Sequence, residues 1–262
     1  MSNTFIPNTG VKAQILTPST PSGFVSLFLE NGERGSRNNL ASLNAGTSNI
    51  GSVFAVGLSG INGAFSKTLS KAGQNTALYQ TIHQKLYSDS GTALEFSQSN
   101  FTNTDPVRFS LIQKPAPSFQ LPNYDGIVFL DVFQSNQIPH SNTFNAAMLY
   151  LVPPNNYGTN YPNNQSFLNA VQASSQTIIK AMCIYNSQYA TPGNLLGLSP
   201  IPTIRMCLFS GNIYKGNATV ADVAQYNLKG LELGFNDPQN INHGITLVEF
   251  EFPNVAPWLS PT

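Results

Sequence analysis

The chain contains few charged residues. Only 9% of its 262 residues are Asp, Glu, Lys or Arg, whereas an ordinary soluble domain has about 25%. Twelve basic residues balance twelve acidic ones, so the formal net charge is zero. No excess of positive charge favours binding to a phosphate backbone or to an anionic membrane. We therefore expect no sequence-specific nucleic-acid partner.

Cysteine, histidine and long apolar runs are also scarce. Cys183 and Cys207 lie in apolar segments, which predicts buried free thiols rather than a disulfide framework. The three histidines have no metal-ligand spacing, so we expect no metal and no cofactor. The apolar run at 127–133 is far shorter than the ~20 residues that span a bilayer. The N-terminus lacks the basic and apolar regions of a secretory signal. We expect neither membrane insertion nor secretion.

Neutral polar residues take the place of charge. The chain has 30 asparagines, and its hydrophobic fraction is 41%, with 17 Phe and 10 Tyr. That apolar content is enough for a sizeable core, so low charge does not indicate disorder here. The composition predicts a folded domain with a neutral polar surface.

Strand patterns dominate the chain. They recur at 24–29, 107–112, 127–133, 203–209, 228–235 and 246–252. In the last of these, Val248 and Phe250 alternate with Glu249 and Glu251, which is typical of a strand with one buried face. The segment 31–49 is polar and contains glycines, so we interpret it as a long loop.

Helix patterns are fewer. The clearest runs from about Gln165 to Tyr185, with Asn164 as its cap, and a shorter one covers 76–87. Thr219 and Asp222 have the spacing of a capping box. Because helices are too few to alternate with strands, we predict a mainly β, α+β fold. Its core would be an antiparallel β-sandwich or barrel with one long helix and one or two short helices.

The two ends are rich in proline. We interpret 1–22 as an extended N-terminal arm, 23–252 as a single β-rich domain and 253–262 as a Pro-rich C-terminal arm. Apolar residues in the arms could dock onto a neighbouring molecule.

No catalytic motif stands out. The glycine-rich segment 57–63 fits neither a Walker pattern nor a dinucleotide fingerprint, and we interpret its glycines as turn residues. Glu249 and Glu251 could form the carboxylate pair of a glycan-active enzyme. The favoured interpretation is that they lie on a lumen or solvent face of the last strand. We expect no enzymatic activity.

The scarcity of charge favours a surface that is covered by identical copies of the chain. Lys is depleted in protein interfaces, and neutral polar side chains avoid the desolvation cost of ions. The predicted assembly interface comprises Phe5, Ile6, Arg34, Arg37, Tyr157, Tyr161, Trp258 and Leu259.

Together these features resemble viral or bacteriophage structural proteins as a class, although no motif identifies a family. We predict a self-assembling virion subunit, made in the host cytoplasm, whose partners are copies of itself and other virion proteins. A tail-tube ring subunit is favoured because of the long loop and the single long helix. A jelly-roll capsid or penton protein remains an alternative. A glycan-binding surface module or glycan-active enzyme is a second alternative.

Overall fold

The computed structural model describes residues 4–16, 40–46, 60–63, 65, 107–111, 126–133, 146–158, 160–194 and 198–261. Their strands form one nine-stranded sheet with the order β4-β5-β6-β3-β7-β8-β2-β1-β9. The strands are β1 (Thr4–Phe5), β2 (Lys12–Ile15), β3 (Leu40–Ala45), β4 (Val107–Leu111), β5 (Ile127–Phe133), β6 (Ala146–Val152), β7 (Thr203–Met206), β8 (Leu247–Phe250) and β9 (Ser260–Pro261).

The five central strands, β6, β3, β7, β8 and β2, are all parallel to one another. The outer strands pair antiparallel at both edges. The prediction of an antiparallel sandwich or barrel is therefore wrong, and the fold is a mixed α/β sheet. A parallel strand that is covered on both faces is apolar almost throughout, and this accounts for runs such as Ala146–Val152.

The central strand β3 lies within the segment that was predicted to be a loop. Leu40 to Asn44 are all buried, including Ser42 and Asn44 at 0% exposure. Small polar residues at buried strand positions gave this segment the composition of a loop, and the loop prediction for 40–45 is wrong. The predicted elements at 24–29 and 76–87 lie outside the described residues.

The long helix was predicted correctly, apart from its cap. Helix α1 spans Asn164–Ile184, and the side chain of Asn163, rather than Asn164, accepts a hydrogen bond from the Ser166 backbone N–H. A π-helical turn, Tyr185–Tyr189, follows directly. Short 3-10 helices occupy Ile213–Lys215, Pro238–Asn240 and Pro253–Trp258.

Helix α2 spans Val220–Asn236 and begins with the predicted capping box of Thr219 and Asp222. The strand that was predicted at 228–235 is wrong, because these residues continue the helix. Leu228, Leu231 and Phe235 are buried, and their spacing of three and four residues places them on one helical face.

The two helices pack closely through small residues of α2. A Cβ atom at Gly230 would lie 2.2 Å from the Gln172 carbonyl oxygen, and one at Gly234 would lie 2.9 Å from the Ile179 Cβ atom. The backbones can approach this closely only because these two positions lack side chains. Within the described part of the chain, no helix has the length and apolarity that crossing a membrane requires.

Both ends of the chain contribute to the sheet and its core. The C-terminal strand β9 pairs with β1, and β1 pairs with β2. Ile6 and Val255 are fully buried, and Leu259 is 8% exposed. The segments that were predicted to be arms thus supply buried residues at 6, 255 and 259.

Candidate functional site

A cleft with a volume of about 640 Å³ lies at the end of the sheet where the central parallel strands finish. Strands β3, β6, β7 and β8 are parallel, so their carboxyl ends all lie at this end of the sheet. The cleft is lined by residues that follow these strands and by residues of a helical turn at 60–63: Ala45, Gly46, Gly60, Ile61, Asn62, Pro153, Cys207, Leu208, Phe209, Ser210, Gly211, Asn212, Ile213, Tyr214, Glu251, Phe252 and Pro253.

The cleft lies where the connections from two neighbouring strands leave towards opposite sides of the sheet. From β3 the chain continues to β4, β5 and β6 on one side, whereas from β7 it continues through α2 to β8 on the other side. In open parallel sheets, the carboxyl ends of two such strands leave a crevice between their diverging connections, and ligands bind there. The topology therefore marks the ends of β3 and β7 as a ligand site.

The loop after β7 forms most of one wall of the cleft. Ser210 has a left-handed backbone, with φ of 58°, and such a conformation in a residue other than glycine is strained and is frequent at functional sites. Its hydroxyl donates a hydrogen bond of 2.6 Å to the Pro154 carbonyl oxygen. The Asn156 backbone N–H donates to the Tyr214 carbonyl oxygen at 2.8 Å. These two bonds fix the loop to the segment that follows β6.

The same loop offers backbone donors to the cleft. Ser210 is only 5% exposed, yet its backbone N–H group has no acceptor among the described residues. The backbone N–H group of Asn212, an exposed residue two positions further on, also has no acceptor among them. Buried N–H groups are nearly always paired in native proteins. Successive N–H groups around a left-handed residue form a concavity that binds anions. The loop can therefore hold a negatively charged group.

The first turn of α2 is not available for this purpose. Thr219 Oγ accepts a hydrogen bond from the Asp222 backbone N–H at 3.0 Å, and an Asp222 carboxylate oxygen accepts one from the Thr219 hydroxyl at 2.7 Å. The Asp222 carboxylate thus already occupies the positive end of the helix. An anion in the cleft would depend on the loop rather than on the helix.

A buried amide pair lies at the end of β3. The Asn44 side-chain nitrogen donates to the Asn62 side-chain oxygen at 2.9 Å, and Asn62 lines the cleft. Asn44 is fully buried, and its own side-chain oxygen has no hydrogen-bond partner among the described residues. This pair connects the central strand to the helical turn at 60–63.

Glu251 supplies the one carboxyl group among the described residues that line the cleft. Burial raises the pKa of this carboxyl above its usual value of 4.5, and the nearby Arg205 guanidinium acts in the opposite direction. Burial and the Glu251 charge also raise the pKa of the adjacent Cys207 thiol. Cys207 therefore stays protonated at neutral pH, and its role in the cleft is that of a small apolar residue.

Glu249 has a different environment from Glu251. It pairs with Arg205 across β7 and β8, with Arg205 Nη2 at 2.6 Å from Glu249 Oε2, and both side chains are 0% exposed. The expectation that Glu249 lies on a solvent or lumen face is therefore wrong. A parallel sheet that is covered on both faces has no exposed side on which this carboxylate could lie. The two glutamates do not form a carboxylate pair across the cleft.

The other predicted site residues lie apart from one another. Tyr157 is 65% exposed, and Tyr161 is half-buried with its ring edge-to-face against Phe167 at 5.6 Å. Arg34 and Arg37 lie outside the described residues. At the ends of the chain, Phe5 and Trp258 are half-buried, and Ile6 and Leu259 belong to the core. Their use as an assembly interface stays a prediction.

Sequence reasoning missed most of the cleft. Gly60, Ile61 and Asn62 belong to the glycine-rich segment that was interpreted as turns only. The loop 207–214 was not identified from the sequence, because the predicted strand was extended to Phe209, whereas β7 ends at Met206. The Ser210-Gly211 dipeptide is a turn signal and could have indicated where that strand ends.

Comparison with curated proteins finds relatives that are named for binding nucleic acids, and no protein-family model matches the chain. Over 210 residues the chain is 31% identical to DNA/RNA-binding protein ALBA4 of Plasmodium falciparum (isolate 3D7) and 30% identical to the ALBA4 of Plasmodium yoelii yoelii. The match covers 75% of this chain but 54% and 53% of the relatives. The chain thus spans about half the length of these relatives. The name of these relatives conflicts with the prediction that the chain has no sequence-specific nucleic-acid partner.

Comparison with solved structures finds a poly(ADP-ribose) glycohydrolase from Thermomonospora curvata. In its complex with the inhibitor ADP-HPD, the TM-score is 0.43 at 12% identity, covering 94% of this chain and 78% of the other. A mutant of the same enzyme gives a TM-score of 0.42 at 11% identity, covering 94% and 77%.

The descriptions of these matches differ from two sequence-based predictions. The solved structures found by the comparison are of an enzyme, whereas the chain was expected not to be one. The expectation of virion partners has no support among the relatives and structures described above, whose names and titles concern nucleic-acid binding and glycan hydrolysis.

Proposed function

We propose that the cleft binds the phosphate-bearing part of a nucleotide or nucleotide-sugar ligand. The observation that carries the proposal is the position of the loop 207–214 at the carboxyl ends of β3 and β7. There, the backbone N–H groups of Ser210 and Asn212, which have no acceptor among the described residues, adjoin a cleft that is large enough for a small ligand. The naming of the ALBA4 relatives for DNA and RNA supports a nucleotide unit as the ligand.

The charge distribution indicates how such a ligand would be held. The described residues that line the cleft include no Lys or Arg, so recognition of a phosphate would rest on backbone dipoles. Backbone donors in a partly closed cleft bind an anion without the desolvation cost of a buried cation. This arrangement suits one or two phosphates better than the backbone of a duplex, whose binding requires many cationic contacts.

The proposal is tested by calorimetric titration with ADP and ADP-ribose. In the Ala45→Leu variant, added apolar atoms at the end of β3 should fill the cleft and weaken binding at least about tenfold, which is about 1.4 kcal/mol. Ala173→Leu makes the same change at an exposed position on α1 and should leave the affinity unchanged. If the unaltered protein binds neither compound, the proposal is wrong. Equal affinities in the Ala45→Leu variant and the unaltered protein would place binding elsewhere.

A second candidate function is cleavage of a glycosidic bond in such a ligand, and Glu251 is the observation that favours it. Burial raises the pKa of the Glu251 carboxyl, so this group holds its proton to a higher pH than an exposed glutamate does, and a general acid transfers such a proton to a leaving oxygen. Most glycoside hydrolases use two carboxyl groups, and the described lining of the cleft supplies one. Binding is for that reason proposed ahead of hydrolysis.

This second candidate is tested by incubation of the protein with poly(ADP-ribose). Glu251→Gln should abolish product release and leave the affinity for ADP-ribose unchanged, because the amide has the size of the carboxyl but cannot donate that proton. The turnover of the unaltered protein should fall as the pH rises through the pKa of Glu251. Absence of turnover in the unaltered protein, or equal turnover in the variant, would exclude hydrolysis through Glu251.

A further inference from the structure

A second cavity, of about 430 Å³, adjoins the cleft. It is lined by Asn156, Tyr157, Gly158, Asn212, Ile213, Lys215, Gly216 and Asn217. Asn212 and Ile213 line both cavities, so the two spaces share the part of the loop after β7 that contains these residues. A ligand that fills the cleft and extends past these residues would enter the second cavity.

An exposed aromatic residue, Tyr157, lines the second cavity, and hydrogen bonds hold its backbone in place. Tyr157 is 65% exposed, and its backbone N–H donates to the Asn155 side-chain oxygen at 2.8 Å. The Asn160 side chain donates to the Asn155 carbonyl oxygen at 2.8 Å. These bonds hold the loop in place although the ring packs little against the protein. An exposed ring on a fixed backbone is suited to stacking on a flat ligand group.

The charge of the second cavity differs from that of the cleft. Its described lining contains Lys215 and no carboxylate, whereas the described lining of the cleft contains Glu251 and no cation. The Lys215 ammonium donates to the Gly216 and Ala218 carbonyl oxygens at 3.4 and 3.1 Å. An ammonium group has three donors, so one remains for an anion. Next to it, the Asn212 and Asn217 side chains make no hydrogen bond to the described residues.

We infer that the second cavity binds the next nucleotide of a single-stranded nucleic acid whose first nucleotide occupies the cleft. The base stacks on Tyr157, and the linking phosphate lies near Lys215. An unpaired strand is required because a base in a duplex has no free face for the ring. This inference rests on the proposed function and adds to it that the ligand is a polymer.

The test compares the binding of ADP with that of two dinucleotides, diriboadenylate and dideoxyadenylate, each with a 5′-phosphate. Stacking of one base should make a dinucleotide bind about tenfold more tightly than ADP. The ribose and deoxyribose forms distinguish RNA from DNA as the source of the strand. Tyr157→Ala should remove this gain and leave the affinity for ADP unchanged. Tyr157→Phe should retain the gain. Ile241→Ala removes another exposed side chain, 77% exposed, and serves as the matched control.

Lys215→Met should reduce the salt dependence of dinucleotide binding and leave that of ADP unchanged. Equal affinities of ADP and both dinucleotides in the unaltered protein would overturn the inference while leaving the proposed function in place. Equal losses for ADP and dinucleotide in Tyr157→Ala would also overturn it, since Tyr157 would then belong to the first site. Failure to bind any of these three compounds or ADP-ribose would contradict the proposed function itself.

Discussion

At the scale of single residues, the two glutamates near the end of the chain differ because they occupy different depths in the sheet. Glu249 lies within β8 and is neutralised by Arg205. Glu251 follows the strand, faces the cleft and lacks a direct ion pair among the described residues. The sequence places them on one face of a strand, and only the end of β8 at Phe250 separates them.

The raised pKa of Glu251 predicts a pH-dependent stability. In the native state this carboxyl binds a proton more tightly than in the unfolded chain. Its unfavourable contribution therefore grows as the pH rises from about 4.5 through the raised pKa. Glu251→Gln should flatten the pH dependence of the unfolding free energy over that window. Urea denaturation at several pH values measures this, and identical pH profiles in variant and unaltered protein would contradict it.

Single residues also limit what sequence can predict about the site. Ser210 adopts a left-handed backbone that nothing in its side chain demands. Asn44 is a polar residue that is fully buried in the central strand. Propensity assigns both residue types to turns and surfaces. Their true environments depend on contacts with residues far along the chain.

At the scale of elements, local signals were reliable where the interactions are local. The capping box of Thr219 and Asp222 and the apolar stripe of α1 both connect residues within a few positions of each other. The segment 228–235 was misassigned because its apolar residues fit a strand nearly as well as a helix. The packing of α2 on α1 selects the helix.

Gly230 is expected to be essential to that packing. Gly230→Ala would gain up to about 1 kcal/mol of helix propensity. The new Cβ atom would overlap the Gln172 carbonyl oxygen and Ser175, and overpacking of this kind typically costs about 1–3 kcal/mol. We expect a net loss of stability in thermal unfolding. Gln225→Ala, at an exposed position of the same helix, should change stability little. A higher melting temperature for Gly230→Ala would show that the helices can move apart at no cost.

At the scale of the whole molecule, the parallel order could not be derived from the sequence. The sequence presents short strands with few visible helices, and that balance favours antiparallel pairing. Of the described helices, α1 links β6 to β7 and α2 links β7 to β8. Because part of α2 was predicted to be a strand, the sequence indicated only one of these two helical crossovers. Strand existence was predicted well at 107–111 and 127–133, and strand partners were not.

Removal of the C-terminal segment is expected to destabilise the whole domain. Deletion of residues 253–262 removes Val255 and Leu259, which are 0% and 8% exposed. Burial of each such side chain contributes about 1.5 kcal/mol or more, so the loss should be at least about 3 kcal/mol. Deletion of 260–262 alone removes β9 and should cost less. Unchanged urea midpoints in both truncated chains would restore the view of this segment as a free arm.

The position of β3 also affects how the chain is made. Its two neighbours in the sheet are β6 and β7, so Leu43 meets Leu149 and Ala41 meets Ile204. On a ribosome, the strand at the centre of the sheet emerges long before either neighbour has been synthesised. Both neighbours of β3 are present only after residue 206, the last residue of β7, has left the exit tunnel. Contacts of such long sequence separation slow folding, and a nascent chain of this protein would expose β3 to other binding partners throughout that interval.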